Sequence, residues 1–276
     1  RLFVPRNDSG EIWTVRVKNE SNRERNLTLF TVANVLLDGV NMPYGYIGGL
    51  RAEYEKDKNW LYFQNTTHTV VDEKYRAFFY STVRMNRWDT SLKTFLGKTR
   101  SYTTPETILN GKLTNTPAST EYLVAAAQHN LKLKPEAEKR FDFVFGVVFG
   151  TRDAGKMRKS FLDSQLIDKE FEAMKRANTE RVQGLQLNTP DSDFNQLFDV
   201  WMKHQLYLMA DWARFYFKGY RDTCQDAAGM SVIDAPRAIE MLKKALINQR
   251  SDGFCPRAFR VASMDIAAAD KHYADS

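Results

Sequence analysis

The segment 219–226 brings together side chains that could hold a small ligand rich in hydroxyl groups. Carboxylates accept hydrogen bonds from hydroxyls and a guanidinium donates them, so a site that contains both can grip a polyol from two directions. An aromatic run at 212–217 precedes the segment, and aromatic rings cover the apolar face of a sugar. The candidate ligand-binding residues are Arg221, Asp222, Gln225 and Asp226.

The same segment also fits a purely structural role at the start of a helix. Thr223, followed three residues later by Asp226, matches a capping box, in which side chains satisfy the unpaired backbone N–H groups of the first turn. Asp222 and Asp226 would then lie one turn apart on one helix face. The two interpretations are compatible, because a capped helix start is a suitable place to mount a ligand site.

The bulk composition excludes several classes of function. The net charge of +6 comes from 40 basic and 34 acidic residues without a long Lys/Arg tract, so we expect no nucleic-acid surface. No run of about twenty apolar residues occurs, so we expect no membrane span. The chain shows no signal peptide and no initiator Met, and it stops just after a motif. We therefore expect an internal fragment of a longer protein.

The two cysteines, Cys224 and Cys255, indicate the compartment. They lack the spacing of a metal site, so we expect no bound metal, and they are too few for a disulfide framework. Unpaired cysteines suit a reducing environment. We expect a cytoplasmic protein.

Residues 1–150 show the period-two alternation of half-buried β-strands. Segments 12–17 and 26–32 alternate strictly, and the polar connection 18–24 between them predicts an antiparallel hairpin. Gly and Pro residues punctuate the rest, which predicts a large antiparallel sandwich. Further strands are expected at 60–64, 68–71, 76–83, 122–133 and 140–149.

After Gly150 the apolar residues recur at helical spacing. The stretch 151–188 predicts two linker helices or one bent helix whose charges form a solvated face. Segments 189–193 and 234–236 each have the composition of a helix start. An apolar stripe that is expected to be core comprises Phe194, Leu197, Phe198, Trp201, Leu208, Met209 and Trp212. His204 lies near this stripe and is expected to be a core residue whose hydrogen bonds are satisfied.

Three segments, in order, resemble glycoside hydrolase family 94, the inverting cellobiose-type phosphorylases. Segment 219–226 resembles the family's Gly-Phe/Tyr-Arg-Asp-x-x-Gln-Asp motif. Segment 88–97 resembles its Phe-Asp-x-x-x-x-x-Phe-Leu-Gly run, in which we expect Asp89 to be a turn cap. Segment 272–276 resembles the family's aromatic-x-Asp-Asp segment, although Ser276 replaces the second Asp.

The resemblance implies an α+β multidomain protein with three parts. Residues 1–150 would form an antiparallel β-sandwich, the C-terminal part of the family's N-terminal domain. Residues 151–188 would form a helical linker. Residues 189–276 would supply the first helices of an (α/α)6 catalytic barrel, truncated by the end of the chain.

The resemblance also assigns roles to individual residues. It implies that Asp275 is the general acid, that Tyr273 lies near the donor sugar and that Asp222 binds donor hydroxyls together with its motif neighbours. The family has an Arg six residues before that Asp, where this chain has Tyr216. Arg214 or Lys218 is the candidate substitute.

The reaction implied is inverting phosphorolysis of a β-glucosidic disaccharide, cellobiose or cellobionic acid, to α-glucose 1-phosphate and a free sugar or aldonic acid. Inorganic phosphate would be the co-substrate, with no cofactor and no metal, and the full-length protein would be a homodimer. Two alternatives stay open. One is an inverting hydrolase on a related barrel, which would need a base carboxylate. The other is a non-catalytic glycan-binding protein.

Overall fold

The computed structural model describes residues 1–6, 8–37, 50–65, 76–99, 101–148, 154–161, 163–211 and 217–260. The chain forms two compact units, Arg1–Met174 and Lys175–Ser276. Each is described by itself. In the part of the chain that the structure describes, no helix is both long enough and apolar enough to cross a bilayer.

The first unit is built on two antiparallel sheets. The strands are β1 Leu2–Phe3, β2 Gly10–Lys18, β3 Arg25–Val35, β4 Leu50–Glu55, β5 Trp60–Asn65, β6 Arg76–Ser81, β7 Arg87–Ser91, β8 Leu123–Leu133 and β9 Glu138–Val148. Six strands form one sheet in the order β1-β2-β9-β6-β5-β4, and three form the other in the order β3-β8-β7. The predicted strands at 60–64, 76–83, 122–133 and 140–149 are confirmed within the described residues, whereas 68–71 lies outside them.

The main core lies between the inner faces of these sheets. The six-stranded sheet contributes large side chains, and the rings of Phe79 and Phe143 stack with their centroids 5.6 Å apart. The three-stranded sheet contributes the fully buried Ala125 and Ala127 of β8 together with Leu123, Leu131 and Leu133 of the same strand. Side chains from the two inner faces pack together here, as sandwich layers require. The predicted antiparallel sandwich is confirmed.

The predicted hairpin between β2 and β3 is wrong, because the two strands lie in different sheets. β2 pairs with β9, and β3 pairs with β8. The chain crosses between the sheets both after β2 and after β8, and the two crossings meet at Asn19. Its buried amide donates to the carbonyl oxygens of Leu133 and Lys134, each at 3.0 Å, and its backbone N–H donates to Ala137.

A second apolar cluster covers the outer face of the six-stranded sheet. Two helices pack there, α3 Ala154–Lys159 and α4 Ser164–Gln183, so the two-helix alternative for this stretch is the observed one. Phe161 and Ile167 are fully buried in this cluster, together with Phe78 of β6. Of two adjacent apolar residues in α4, Ile167 is buried against the sheet and Leu166 is exposed.

A polar network ties α4 to this sheet. Asp142 of β9 is fully buried and accepts from Thr14 Oγ1 and Ser164 Oγ, each at 2.6 Å. Arg140 Nε donates to the same carboxylate at 2.8 Å, and its Nη1 reaches Asp168 Oδ2 of α4 at 2.6 Å. One helix charge is therefore part of a structural network, which the prediction of a solvated face missed.

Two short helices, α1 Leu92–Leu96 and α2 Glu106–Leu109, follow β7. Asp89 of β7 is fully buried, and its carboxylate accepts from the backbone N–H of Thr114 at 3.1 Å and of Thr116 at 2.9 Å. The expectation that Asp89 caps backbone donors is right in kind. The donors belong to segment 114–116 rather than to its own turn.

The second unit contains helices and a small two-stranded sheet. Its small core includes Ala210, Ala227, Met230 and Met241. The elements after α4 are α5 Ser192–Gln196, a π-helical segment Leu197–Met202, α6 Lys203–Asp211, β10 Phe217–Gly219, α7 Tyr220–Ser231, α8 Ala235–Leu246 and β11 Ala258–Arg260. Both predicted helix starts are confirmed: Asp191 caps α5, and Asp234 caps α8 by accepting from Arg237 N at 3.0 Å.

The apolar stripe predicted to be core in this unit is largely exposed. Phe194, Leu197 and Trp201 keep 47%, 46% and 57% of their surface accessible. His204, expected to be a core residue, is also exposed. The face of α6 that does pack inward carries Lys203, whose ammonium donates to Val182 O at 2.7 Å. Trp212 lies outside the described residues.

Candidate functional site

The polar segment 219–226 begins where strand β10 turns directly into helix α7. β10 pairs antiparallel with β11, so Gly219 lies opposite Ala258. The first N–H of the helix, that of Tyr220, donates to Arg257 O at 3.0 Å. The helix start is thus held by the returning strand.

The four predicted ligand-binding residues lie on one face of α7. The opposite face packs inward through Tyr220, Thr223, Ala227 and Met230, which recur at helical spacing and are buried. Residues spaced by one, four and five positions share the remaining face. That face carries Arg221 and Gln225, which are exposed, and Asp222 and Asp226, which are partly buried.

The capping box predicted at Thr223 and Asp226 is wrong, because the helix begins four residues earlier. Gly219 is the N-cap and makes no side-chain cap. Thr223 lies inside the first turns, where its hydroxyl donates back to Gly219 O at 2.7 Å. Asp226 is therefore not needed to cap this helix.

Asp222 occupies the first turn of α7, where the aligned backbone dipoles favour a negative charge. Its carboxylate folds back towards the N-cap, so that a Cβ at residue 219 would overlap it. Among the described residues, no group hydrogen-bonds or ion-pairs with the Asp222 side chain. The partly exposed Asp222 carboxylate thus lies against Gly219, and its oxygens accept no hydrogen bond from the described residues.

The buried side of the same helix start holds a cluster that sequence reasoning did not identify. Tyr220 packs with Ala245 and Phe259, and both cysteines lie against this cluster. Burial raises the pKa of Tyr220 to about 12, and a hydrogen bond with Cys255 acts in the same direction. Gly253, at φ +88°, lies in the turn that precedes Cys255 and Phe259. This glycine is the one feature of the sequence that could have indicated a chain reversal at this cluster.

Several predicted site residues fall outside the described residues: Asp275, Tyr273 and Arg214. Lys218, the other candidate for the displaced Arg, is buried, and its ammonium donates to Met209 O at 2.5 Å and Ala210 O at 3.0 Å. Lys218 therefore caps the carboxyl end of α6. Arg214 remains the candidate for the Arg role.

Comparison with known proteins gives a match over most of the first unit. A sequence model of the family described as glycosyl hydrolase 94, supersandwich domain, matches residues 1–164. Those residues hold both sheets of the first unit, the helices α1 to α3 and the first residue of α4.

Curated relatives match nearly the whole chain. A solabiose phosphorylase from Paenibacillus borealis is 27% identical over 94% of this chain and 34% of its own length. An N,N'-diacetylchitobiose phosphorylase from Vibrio proteolyticus is 26% identical, over 90% and 31%. A cellobionic acid phosphorylase from Neurospora crassa is 25% identical, over 92% and 32%. The chain thus spans about a third of the length of these relatives.

Proposed function

This chain belongs to the glycosyl hydrolase 94 family, and from that premise we propose that it is part of an inverting disaccharide phosphorylase. The relatives that match over nine tenths of the chain are named phosphorylases of different disaccharides. The reaction would transfer a glycosyl unit from the disaccharide to inorganic phosphate, without a further cofactor.

The proposed division of the chain follows the same relationship. Residues 1–150 form the sandwich, 151–188 a helical linker and 189–276 the opening of an (α/α)6 barrel. Support for the last part comes from α5 to α8, whose exposed apolar side chains would be covered by further barrel helices.

The polar face of α7 is the observation that carries the proposal. Arg221, Asp222, Gln225 and Asp226 project from one side of one helix, so a single sugar ring could contact several of them. Asp222 would accept hydrogen bonds from donor hydroxyls through its unused carboxylate oxygens, and Arg221 would donate. Mounting these groups on a helix rather than a loop gives them a defined geometry.

The proposed chemistry needs one proton donor. Asp275 would protonate the glycosidic oxygen as its bond to the anomeric carbon breaks, because an alkoxide is a poor leaving group. A phosphate oxygen would attack that carbon from the opposite face, which gives the α-linked sugar phosphate. Phosphate arrives already anionic, so no base is required, unlike in an inverting hydrolase. Tyr273 would lie near the donor sugar.

For the substrate we propose a β-glucosidic disaccharide, cellobiose or cellobionic acid. The relatives act on several disaccharides by name, so this choice rests on the motif resemblance. We further propose that the full-length protein is a cytoplasmic homodimer. Neither Cys224 nor Cys255 forms a disulfide in the structure, which fits a reducing compartment.

The test compares two first-turn carboxylates in the full-length protein. Asp222→Asn should lower kcat/KM for phosphorolysis by roughly 10- to 100-fold, because hydrogen bonds to a charged acceptor are lost. Asp193→Asn, in the first turn of α5, removes the same helix-dipole interaction and should leave kinetics unchanged. If Asp222→Asn instead lowers the melting temperature with normal kinetics, its role is structural and the donor-site proposal fails.

The same assay, run on two substrates, tests the acid. Asp275→Asn should cost about 10²–10⁴-fold or more on a disaccharide but less on a glucoside with an acidic phenol leaving group, which needs the proton less. Asp222→Asn should affect both substrates alike through the shared glucosyl unit. Release of free glucose without phosphate would indicate the hydrolase alternative. Binding without turnover would indicate the glycan-binding alternative.

A further inference from the structure

A cavity of about 240 Å³ opens at the β4 edge of the six-stranded sheet, in the first unit. It is formed by the outward side chains of β4 and β5 and by a segment that runs alongside β4. Its lining residues are Arg51, Ala52, Glu53, Tyr62, Gln64, Pro117, Ala118 and Ser119.

Backbone pairing holds these walls in place. Arg51 lies directly opposite Gln64, and Glu53 directly opposite Tyr62, so four side chains share one face of the β4–β5 pair. The third wall is attached to the outer edge of β4, where Ala52 N donates to Ala118 O at 3.0 Å. The cavity is therefore preformed by the sheet and does not depend on a loop closing.

The ring of Tyr62 forms the aromatic wall and has a restrained orientation. It stacks on Trp60, with centroids 5.5 Å apart and planes at 24°. Its hydroxyl is hydrogen-bonded to Arg76 on the neighbouring strand. A held ring costs little entropy when a ligand packs against it.

The polar groups around this ring have hydrogen-bonding capacity to spare. Within the described residues, the side chains of Arg51, Glu53 and Gln64 make no hydrogen bond or ion pair, not even with one another. Elsewhere on the same face, Glu55 is neutralised by Lys58 at 2.7 Å. The Arg51 guanidinium, the Glu53 carboxylate and the Gln64 amide therefore line the cavity without a partner among the described residues.

We propose that this cavity is a saccharide-binding site that takes a single pyranose unit, separate from the face of α7. A pyranose presents hydroxyls that both donate and accept, together with an apolar ring face, which matches Arg51, Glu53 and Tyr62 in kind. An anion would meet the Glu53 carboxylate and a cation the Arg51 guanidinium, so a neutral polyol fits both. The inference rests on the sandwich alone and stands or falls independently of the phosphorylase activity.

The test observes Tyr62 directly by ¹⁹F NMR of the chain labelled with 3-fluorotyrosine. The chain has 12 tyrosines, and the Tyr62 resonance is identified by its absence from the Tyr62→Phe variant. Methyl β-glucoside at millimolar concentration should shift the Tyr62 resonance in a saturable way. No shift, or a shift with free leucine but not with the glucoside, would overturn the proposal.

Two matched glutamate variants on strand β4 sharpen the test. Glu53→Ala removes the lining carboxylate and should weaken saccharide binding at the Tyr62 resonance by roughly tenfold or more. Glu55→Ala, two residues along the same face but outside the cavity, should leave binding unchanged. Equal effects of the two variants would mean that the shift reports general surface charge, and the site would be rejected. Asp222→Asn should not alter the Tyr62 titration.

Discussion

His129 is an ionisable side chain enclosed in the sandwich core. Its ring lies edge-on to Phe141 and Phe143, with centroids 5.3 and 5.4 Å apart, and Nε2 lies 3.1 Å from Ser81 Oγ and from Val83 O. Burial lowers its pKa from 6.5 to about 4. The unfolded chain therefore binds this proton more readily than the folded chain.

The consequence is acid sensitivity between these two pKa values. Because folding lowers the pKa of His129, this residue does not make the free energy of unfolding depend on pH above about 6.5. Below that value, the free energy of unfolding falls as the pH drops towards 4. His129→Gln should remove about 3 kcal/mol of that pH-dependent loss. Chemical denaturation at several pH values measures it, with His204→Gln at an exposed position as control. Parallel pH profiles for wild type and His129→Gln would contradict the assignment.

At the scale of single residues, the sequence predicted correctly that Asp222 and Asp226 lie one turn apart on one helix, and it misplaced the start of that helix. The helix start was misplaced because Thr223 looks like a cap. Its hydroxyl instead bonds back to Gly219 O inside the helix, and the true N-cap is a glycine without a capping side chain. Local patterns do not distinguish these two uses of a threonine hydroxyl.

Among the elements, α4 is held to the six-stranded sheet by charge as well as by apolar packing. Asp168 of α4 forms ion pairs with Arg140 and with Arg1, whose Nη2 lies 2.5 Å from Asp168 Oδ1. Hydrogen bonding to Arg140 lowers the pKa of Asp168 from 3.8 to about 2. The pair therefore contributes stability above about pH 3.8 that is lost as the pH falls towards 2.

Asp168→Asn should accordingly destabilise the first unit at neutral pH. The difference in stability between this variant and the wild type should be smaller at pH 2. Because the Asp168 side chain is 44% exposed, we expect only about 1 kcal/mol, reduced further by high salt. Thermal melts at low and high salt measure this, with Glu180→Gln on the exposed part of α4 as control. A loss that is independent of salt and pH would point to packing rather than charge.

Strand partners were harder to predict than strands. Alternation marked β2 and β3 correctly, because one face of each is buried. Their short polar connection suggested a hairpin, yet it is a crossing between sheets that depends on contacts more than a hundred residues away in sequence, at Leu133 and Lys134. Such long-range pairing leaves no local signal, and Asn19 looks like an ordinary turn residue until the fold is known.

At the scale of the whole molecule, the two units differ in how completely they bury their apolar residues. The first unit encloses aromatic side chains such as Trp60, Phe79 and Phe143 between and behind its sheets. The second leaves apolar side chains of α5, the π-helical segment and α8 in contact with solvent: Phe194, Leu197, Val200, Trp201, Met202, Ile239, Leu242 and Leu246. Periodicity predicted that the stripe of the first helices is core, which is wrong for this chain, because burial depends on what packs against the stripe.

We therefore expect the 276-residue chain to self-associate through its second unit and to release no glucose 1-phosphate from any disaccharide. Exposed apolar surface of this extent promotes association, and the chain spans about a third of its phosphorylase relatives. Val200→Lys with Trp201→Lys should shift the sedimentation profile towards monomer without lowering the melting temperature, because both side chains are already exposed. Leu109→Lys, at a position of the first unit that is more exposed than either of these, should leave association unchanged. If the double variant unfolds instead, the two residues are structural. Separately, phosphate-dependent turnover by the isolated chain would show that the catalytic residues have been misplaced.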